Sequence, residues 1–415
     1  MRCYVFPGQG TQKKGMGRSL FGRFPDLRRR ADRVLGYPIE ELCLENPERR
    51  LSETAYAQPA IYVVNALHWA AAEEDLPPAD FFAGHSLGEY SALFAAGAFD
   101  FETGLTLVQH RAELMSQVGG GAMAAVVGVC EQIVQDTLKQ HDATGVVIAN
   151  HNAPEQFVLS GSREELARIK PVFEKVEGVR GFVPVRVSGP FHSPAMAPAA
   201  ARFRSLLASV DVGEPRTPVI SNVTGRPFGP DAQDVRTLLA EQIVQPVRWT
   251  DCIRYLRDAG VSDFTELGES QMLTRLIDRI TTAPEPAPDP RRDLIERIRR
   301  EILQPEIGDE ALDFDADASF RQLGLNSIIY VRLARRVGTA LGIQVKPDII
   351  FQHRSCAALA DYLLTREDVA RDAAPEAPPI TLREYQDERV TALLRDCADG
   401  NLSVDRTLEA IRALA

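Results

Sequence analysis

The stretch from Phe81 to Ala92 restricts the possible fold of this chain more than any other segment. An apolar, strand-like run ends at Gly84, a serine follows in the pattern G-x-S-x-G, and a helix-favouring run begins at Leu87. A strand, a sharp turn and a helix in this order lift the hydroxyl of Ser86 clear of a sheet, beside the free N–H groups of a helix N-terminus. The pattern alone is weakly specific, so its context carries the prediction of a nucleophilic serine.

The composition is that of an ordinary globular protein and narrows the classes of function. The chain has 415 residues, 45% of them hydrophobic and 25% charged, which is enough for about two or three domains with sizeable cores. A net charge of −11 without a concentrated basic run argues against a nucleic-acid partner. No apolar stretch approaches the length of a membrane span, so we expect no membrane partner.

The cysteines and the N-terminus indicate the compartment. Six cysteines are scattered along the chain and form no C-x-x-C pair. In a chain of this length, that distribution is typical of reduced thiols and predicts neither a metal site nor a disulfide framework. The apolar run before Pro7 is too short for a signal peptide, so we expect a cytoplasmic protein.

A change in the hydrophobic periodicity after Gly121 predicts a small domain inserted into a larger one. The periodicity predicts strands at 122–129, 145–150, 156–160 and 181–187 and helices at 131–140 and 162–175. The order β-α-β-β-α-β is that of the split βαβ, ferredoxin-like arrangement, which we assign to residues 122–188. Nearer the N-terminus, Arg2–Phe6 is predicted to be a strand and Met16–Phe21 a helix.

Two proline-rich segments divide the remainder of the chain. Residues 281–290 and 367–379 are predicted to be linkers. Between them, residues 291–366 are expected to form a small all-α domain, whose first helix carries one apolar face. After the second linker, residues 380–415 predict two short amphipathic helices. Such helices cannot bury their own apolar faces, so they either dock on another protein or remain solvated.

Ser86 needs a general base, and the chain has seven histidines. His192 lies in a breaker-rich turn, Gly189–Pro194, where the chain returns to the large domain, and it is best placed to reach the serine. The alternative is a loop histidine in water. On the glycine-rich turn after the first strand, Gln9 can present its backbone N–H to an oxyanion. Arg111, taken alone, is most simply a surface charge on a helix.

Five motifs carry a resemblance to a known family. They are PGQGTQ (7–12), GHSLGEY (84–90), QHRAELM (109–115), GPFHS (189–193) and PVRW (246–249). In order and spacing, residues 1–280 resemble the malonyl-CoA:acyl carrier protein transacylases, in particular the discrete enzymes that serve polyketide synthases in trans. Within residues 291–366, LGLNSI (323–328) resembles the attachment signature of acyl carrier proteins, usually G-x-D-S followed by Leu or Ile.

The resemblance implies an α/β fold: an α/β-hydrolase-like large subdomain with the inserted ferredoxin-like small subdomain, then an all-α four-helix carrier domain and a helical tail. It implies that malonyl passes from malonyl-CoA through an acylated Ser86 to acyl carrier protein domains in polyketide or related biosynthesis. His192 would be the base and later the acid. The backbone N–H groups of Gln9 and Leu87 would form the oxyanion hole.

The resemblance also implies three supporting residues. Arg111 would pair bidentately with the free carboxylate of the malonyl group, a geometry that lysine does not reproduce. Phe191 would crowd an α-methyl group on the substrate. A backbone carbonyl, with the Arg248 position as one source, would orient His192, so that no catalytic aspartate is required.

For the carrier domain, the resemblance implies that a phosphopantetheinyl transferase attaches 4'-phosphopantetheine covalently to Ser327. The chain departs from the signature at Asn326, where aspartate is usual and where the loss of charge weakens recognition by that transferase. Arg332, Arg335 and Arg336 follow on the next helix, whereas carriers of fatty-acid synthesis are acidic there. We therefore expect partners to recognise this carrier differently.

Two other functions stay open at the level of sequence. One is a hydrolase that clears stalled acyl groups from carrier proteins, although a buried cation at Arg111 would not help an enzyme that takes uncharged chains. The other is a scaffold, in which the carrier-like module stays unmodified and residues 380–415 dock on a synthase subunit.

Overall fold

The computed structural model describes residues 1–283, 290–307, 316, 318–325, 327–341, 343 and 345–366. The chain forms two compact units, Met1–Pro284 and Glu285–Ala415. Most of the linker expected at 281–290 lies outside the described residues, as do the whole linker expected at 367–379 and the tail expected at 380–415.

The first unit contains eight strands and eleven α-helices within the described ranges. The strands are β1 (Arg2–Phe6), β2 (Phe81–Gly84), β3 (Gly121–Val127), β4 (Val147–Ala153), β5 (Gln156–Ser162), β6 (Gly181–Val185), β7 (Val219–Ile220) and β8 (Asp263–Glu266). The helices are α1 (Pro25–Leu35), α2 (Ile39–Glu45), α3 (Thr54–Asp75), α4 (Gly88–Ala95), α5 (Phe101–Ser116), α6 (Glu131–Gln140), α7 (Arg163–Phe173), α8 (Ala197–Leu207), α9 (Ala232–Glu241), α10 (Trp249–Asp258) and α11 (Met272–Thr282). Short 3₁₀ turns cover Pro47–Ser52 and Pro194–Met196.

A four-stranded parallel sheet forms the centre of this unit. Its strand order is β7-β2-β1-β8, with Phe6 paired to Gly84 and Ala83 paired to Ile220. Helices cover a parallel sheet on both faces, which explains why β1 and β2 are almost wholly apolar and buried rather than alternating. Because β1, β2 and β7 run in the same direction, the segments that follow them meet at one edge of the sheet.

A second sheet occupies the segment between α5 and α8. Four antiparallel strands pair in the order β4-β5-β3-β6, and the chain passes through them as β3-α6-β4-β5-α7-β6. Val126, Leu159 and Phe173 belong to a separate hydrophobic cluster between this sheet and its helices. The order of elements agrees with the one predicted for residues 122–188.

The helix predicted at Met16–Phe21 is wrong. The segment is a series of hydrogen-bonded turns, in which Gly17 O accepts the N–H groups of both Leu20 and Phe21. Gly15 and Gly17 have φ values of +91° and +74°, which lie outside the right-handed helical region. The apolar side chains Met16 and Phe21 are nevertheless buried in the main core.

The turn that contains Ser86 depends on close contact between backbones. A Cβ atom added to Gly84 would overlap the carbonyl of Gly88, and one added to Gly88 would overlap the carbonyl oxygen of Phe6. A Cβ atom added to Gly8 would overlap the carbonyl oxygen of His85. The glycines therefore let β2, α4 and the turn after β1 pack together with no side chain between them.

The second unit is helical in its described part. It contains α12 (Pro290–Arg297), a π-helical segment (Ile298–Leu303), α13 (Gln304–Ile307), α14 (Ser327–Leu341), α15 (Pro347–Gln352) and α16 (Cys356–Leu364). The predicted apolar face of the first helix is confirmed, since Leu294, Ile298 and Ile302 are buried in this unit's own hydrophobic core. Within the described ranges, no helix combines the length and apolar character needed to span a bilayer.

We expect Gly88→Ala to destabilise the first unit by about 1–3 kcal/mol, because the new methyl group must displace the backbone of β1. Gly119→Ala is the matched control, since a Cβ atom at that position meets nothing within 4 Å. Chemical unfolding of both variants tests the expectation. Equal midpoints for the two variants would show that the close contact at Gly88 is not needed.

Candidate active site

Ser86 and His192 meet at the edge of the parallel sheet. Ser86 lies between β2 and α4 with φ at +52°, and His192 follows β6 in a loop with φ at +53°. Left-handed backbone is uncommon for residues other than glycine and is concentrated at functional sites. Ser86 Oγ lies 2.8 Å from His192 Nε2. The structure thus brings together the two residues that the sequence predicts as nucleophile and base.

The surroundings of His192 determine which ring nitrogen carries the proton. Its Nδ1 lies 2.7 Å from the carbonyl oxygen of Gln242, which can only accept a hydrogen bond. Nδ1 therefore carries the hydrogen, and Nε2 presents its lone pair to the hydroxyl of Ser86. Burial, and then the nearby positive charge of Arg111, lower the pKa of His192 to about 3. The imidazole is neutral at physiological pH and ready to accept a proton.

The Arg248 position was predicted as one source of the backbone carbonyl that orients His192, and this prediction is wrong. The carbonyl of Arg248 accepts the N–H of Cys252 at 3.0 Å, because Arg248 is the N-cap of α10. Its guanidinium pairs with Asp251 at 2.9 Å. Gln242 supplies the carbonyl instead, as the first residue after α9, where the last carbonyl groups of a helix lack internal partners.

Arg111 is fully buried beside the nucleophile rather than on the surface. Its Nη1 donates to Gln58 Oε1 at 2.8 Å, and its Nη2 donates to Gln242 Oε1 at 3.0 Å and to Ser86 Oγ at 3.1 Å. Its guanidinium carbon lies 5.4 Å from the ring centroid of Tyr90. None of these partners in the described chain is a carboxylate. Burial lowers the pKa of Arg111, but a guanidinium stays charged in proteins.

The two predicted oxyanion donors lie on adjoining turns. Leu87 is the N-cap of α4, and Gln9 follows Gly8, which packs so closely on the carbonyl of His85 that an added Cβ atom would overlap its oxygen. In the described part of the chain, neither backbone N–H donates to a carbonyl oxygen. The side chain of Gln9 is fixed, since it donates to Thr54 at 3.1 Å and accepts from Gln58 at 3.1 Å. Gln58 thereby connects the turn of Gln9 to Arg111.

Phe191 and His85 flank the two reactive residues in sequence. Phe191 is 4% exposed and packs in the main hydrophobic core, immediately before His192. His85 turns away from the reaction centre, and its Nε2 lies 2.8 Å from Oδ1 of Asn152 on β4. Desolvation lowers the pKa of His85.

Two further polar residues of the site, Asn222 and Glu89, were missed at the level of sequence. Asn222 accepts the N–H of Ser86 through Oδ1 at 2.7 Å and donates to Gly84 O at 2.8 Å. Glu89 is fully buried and accepts from Asn222 N–H at 2.6 Å and from Gln242 Nε2 at 3.0 Å. Burial raises the pKa of Glu89 to about 8, against the hydrogen bond from Asn222 and the charge of Arg111. Asn222 follows β7, so its place at the common edge of parallel strands was the available signal.

Ser327 is the first residue of α14 in the second unit. Gly324, with φ at +74°, and the bond from Leu325 N–H to Phe320 O form the turn before this helix. The first N–H groups of a helix have no internal partners and suit the phosphate of a phosphopantetheine arm.

Within the described ranges, no cluster of three or more His, Cys, Asp or Glu side chains is arranged to hold a metal ion.

An elbow serine, a neutral histidine and a buried arginine on an α/β scaffold define a serine enzyme of acyl transfer. Residues 3–301 match the family model of the acyl transferase domain, and residues 300–363 match that of the phosphopantetheine attachment site. The chain belongs to the acyl transferase family and carries a phosphopantetheine attachment domain.

The chain is also similar to individual proteins whose descriptions are more specific than that of the family. It is 49% identical over 290 residues to the polyketide biosynthesis malonyl CoA-acyl carrier protein transacylase BaeC of Bacillus velezensis, covering 69% of this chain and 99% of BaeC. It is 52% identical over 281 residues to the polyketide biosynthesis protein ThaF of Burkholderia thailandensis, covering 68% of this chain but only 24% of ThaF. The crystal structure of malonyl CoA-acyl carrier protein transacylase from Burkholderia pseudomallei is 47% identical, with a TM-score of 0.66 over 68% of this chain and 99% of that one.

We expect the acid limb of Ser86 reactivity to lie below pH 5, because the pKa of His192 is lowered to about 3. The base is free above that pKa and is lost only as the pH falls through it. The rate of Ser86 labelling by an uncharged fluorophosphonate, a reagent with no titrating carboxylate, should therefore show no acid limb between pH 5 and 8. In Arg111→Gln the limb should move to higher pH, since the repelling charge is gone. A wild-type limb near the ordinary histidine value would contradict the expectation.

Proposed function

We propose that this chain transfers a malonyl group from malonyl-CoA, through an ester on Ser86, to the phosphopantetheine thiol of acyl carrier protein domains in polyketide biosynthesis. The observation that carries the proposal is the buried guanidinium of Arg111, 3.1 Å from Ser86 Oγ and without a carboxylate partner in the described chain. A buried cation of this kind is costly unless a counter-charge arrives, and the free carboxylate of a malonyl group supplies one.

In the first half of the reaction, Ser86 Oγ attacks the thioester carbonyl while its proton passes to His192 Nε2. The N–H groups of Gln9 and Leu87 receive the developing oxyanion. As the carbon–sulfur bond breaks, His192 returns the proton to the sulfur of coenzyme A. The carbonyl of Gln242 stabilises the transient positive charge on the ring through Nδ1–H.

In the second half, a phosphopantetheine thiol takes the place of coenzyme A. His192 Nε2 removes the thiol proton, and the sulfur attacks the ester carbonyl of malonyl-Ser86. The same N–H groups hold the oxyanion, and the proton then passes to Ser86 Oγ as the ester bond breaks. The cycle leaves the enzyme unchanged, with one thioester formed for each one broken.

Selection of the acyl group rests on Arg111 and Phe191. Two amide oxygens, from Gln58 and Gln242, hold the guanidinium in place, so that its plane is fixed before substrate arrives. We assign to Phe191 a steric role against an α-methyl group, a contact that discriminates by about 1–3 kcal/mol. The editing hydrolase is disfavoured, because an uncharged acyl chain would leave Arg111 without a counter-ion.

In the second unit, we assign the attachment of 4'-phosphopantetheine to Ser327 by a phosphopantetheinyl transferase. The position of Ser327 at the start of α14 supports the assignment. For the fold, we propose an α/β-hydrolase-like large subdomain, a ferredoxin-like insert at 122–188 and a four-helix carrier at 291–366. Residues 380–415 are proposed to dock on a synthase subunit. The reaction consumes and releases small soluble molecules, and we place it in the cytoplasm.

Arg111→Ala should lower kcat/KM for malonyl-CoA by about 100-fold or more, since two charge-assisted hydrogen bonds to the substrate are lost. Transfer from acetyl-CoA should hold or rise, because acetyl has no carboxylate. Selectivity is measured from the mass of the acyl-enzyme after exposure to an equal mixture of malonyl-CoA and acetyl-CoA. Arg202→Ala, at an exposed arginine of α8, is the control. Rapid hydrolysis of acetyl groups by the wild type, with no malonyl-enzyme, would contradict the proposed function.

Ser327→Ala should abolish modification of the second unit, because the hydroxyl is the proposed point of attachment. Intact mass after co-expression with a phosphopantetheinyl transferase measures it. Ser319→Ala, in the turn before α14, is the matched control and should be modified like the wild type. An unmodified wild-type chain would instead favour the scaffold function for this unit.

A further inference from the structure

The side-chain amide of Gln242 connects three groups of the site. Its Nε2 donates to the carbonyl oxygen of Ser86 at 3.0 Å and to Glu89 Oε1 at 3.0 Å. Its Oε1 accepts from Arg111 Nη2 at 3.0 Å. The orientation is determined by these neighbours, since reversal would place the amino group against a guanidinium and the oxygen against two acceptors.

Glu89 holds this amide from a fully buried position one turn beyond the nucleophile on α4. Its second oxygen, Oε2, accepts the backbone N–H of Asn222 at 2.6 Å. Asn222 in turn holds the backbone of Ser86 and Gly84. One carboxylate therefore anchors both the elbow and the amide that faces Arg111. The proposed reaction uses no proton or charge of Glu89.

We propose that Glu89 is a positioning residue for substrate selection: its carboxylate fixes the Gln242 amide so that the oxygen faces Arg111 and sets the guanidinium for the substrate carboxylate. This rests on the proposed function. Burial raises the pKa of Glu89 to about 8, but the ionised form is the one that fits these contacts, because both oxygens accept from N–H donors and a protonated oxygen would face one of them. A neutral amide at position 89 would offer one acceptor and one donor.

The substitution Glu89→Gln is expected to disturb Arg111 through the side-chain amide of Gln242. If the new amide keeps its oxygen on Asn222 N–H, its amino group opposes the amino group of Gln242. Rotation of the Gln242 amide relieves that contact but turns its amino group towards the guanidinium of Arg111. The carbonyl of Gln242 that orients His192 is part of the backbone and is unaffected. The defect should therefore appear at the substrate carboxylate rather than at the base.

The experiment compares the full chain with Glu89→Gln, Gln242→Ala and the double variant. In Glu89→Gln we expect the KM for malonyl-CoA to rise about tenfold, the effect of one weakened hydrogen bond to a charged group. Labelling of Ser86 by an uncharged fluorophosphonate should change less than about threefold. In the Gln242→Ala background, Glu89→Gln should add little, because the two act through one contact. Glu113→Gln, at an exposed glutamate of α5, controls for loss of charge.

Equal losses with malonyl-CoA and with the uncharged probe would overturn the proposal, since they indicate a purely structural role. An undiminished effect in the Gln242→Ala background would overturn it as well. Should Glu89→Gln fail to fold, Glu89→Asp carries the test, because it keeps both acceptor oxygens at a shorter reach. A malonyl-specific rise in KM supports the proposal, and an equal loss with both reagents counts against it. Absence of malonyl-enzyme in the wild type would instead refute the proposed function.

Discussion

The direct packing of backbone on backbone at Gly8, Gly84 and Gly88 is the constraint on which the rest of the site depends. Where β2 turns into α4, the absence of side chains allows the turn after β1 to press against the elbow. That contact brings the turn after β1 and the N-terminus of α4 within reach of Ser86. The left-handed backbone of Ser86 is maintained by the same packing, together with the bond from its N–H to Asn222. A loop on the surface could not hold such a conformation, because nothing around it would oppose relaxation.

The second organising feature is the choice of amides around Arg111. Gln58 and Gln242 satisfy the guanidinium with neutral oxygens, and the carboxylate of Glu89 lies one hydrogen bond further away. A carboxylate in direct contact would neutralise the cation and occupy its donors permanently. Amide oxygens fix the orientation of the group without pairing it directly with a carboxylate, which suits it to a substrate carboxylate that binds and is released. The two amides therefore position the guanidinium of Arg111, and the substrate carboxylate pairs with its charge.

Local patterns in the sequence predicted much of this arrangement, and long-range contacts account for the errors. Ser86 could be identified because strand, turn and helix are encoded within a few neighbouring residues, and His192 because its turn lies where the insert ends. The helix expected at Met16–Phe21 failed because two glycines adopt left-handed backbone that composition alone does not reveal. Gln242 could not be found, since its carbonyl meets His192 across 50 positions and only the end of α9 leaves it free. Arg248 was chosen instead because it lies in a recognisable motif, whereas its carbonyl belongs to α10.

The carbonyl of Gln242, where many serine enzymes place a carboxylate, has a consequence for the kinds of leaving group. A peptide dipole stabilises an imidazolium less than a full negative charge does, so the ring is a weak base and its protonated form a strong acid. Thiolates depart with little help from an acid, since the pKa of a thiol lies near 8.5. An incoming thiol likewise gives up its proton more readily than water does. The dyad is therefore suited to the exchange of one thiol for another.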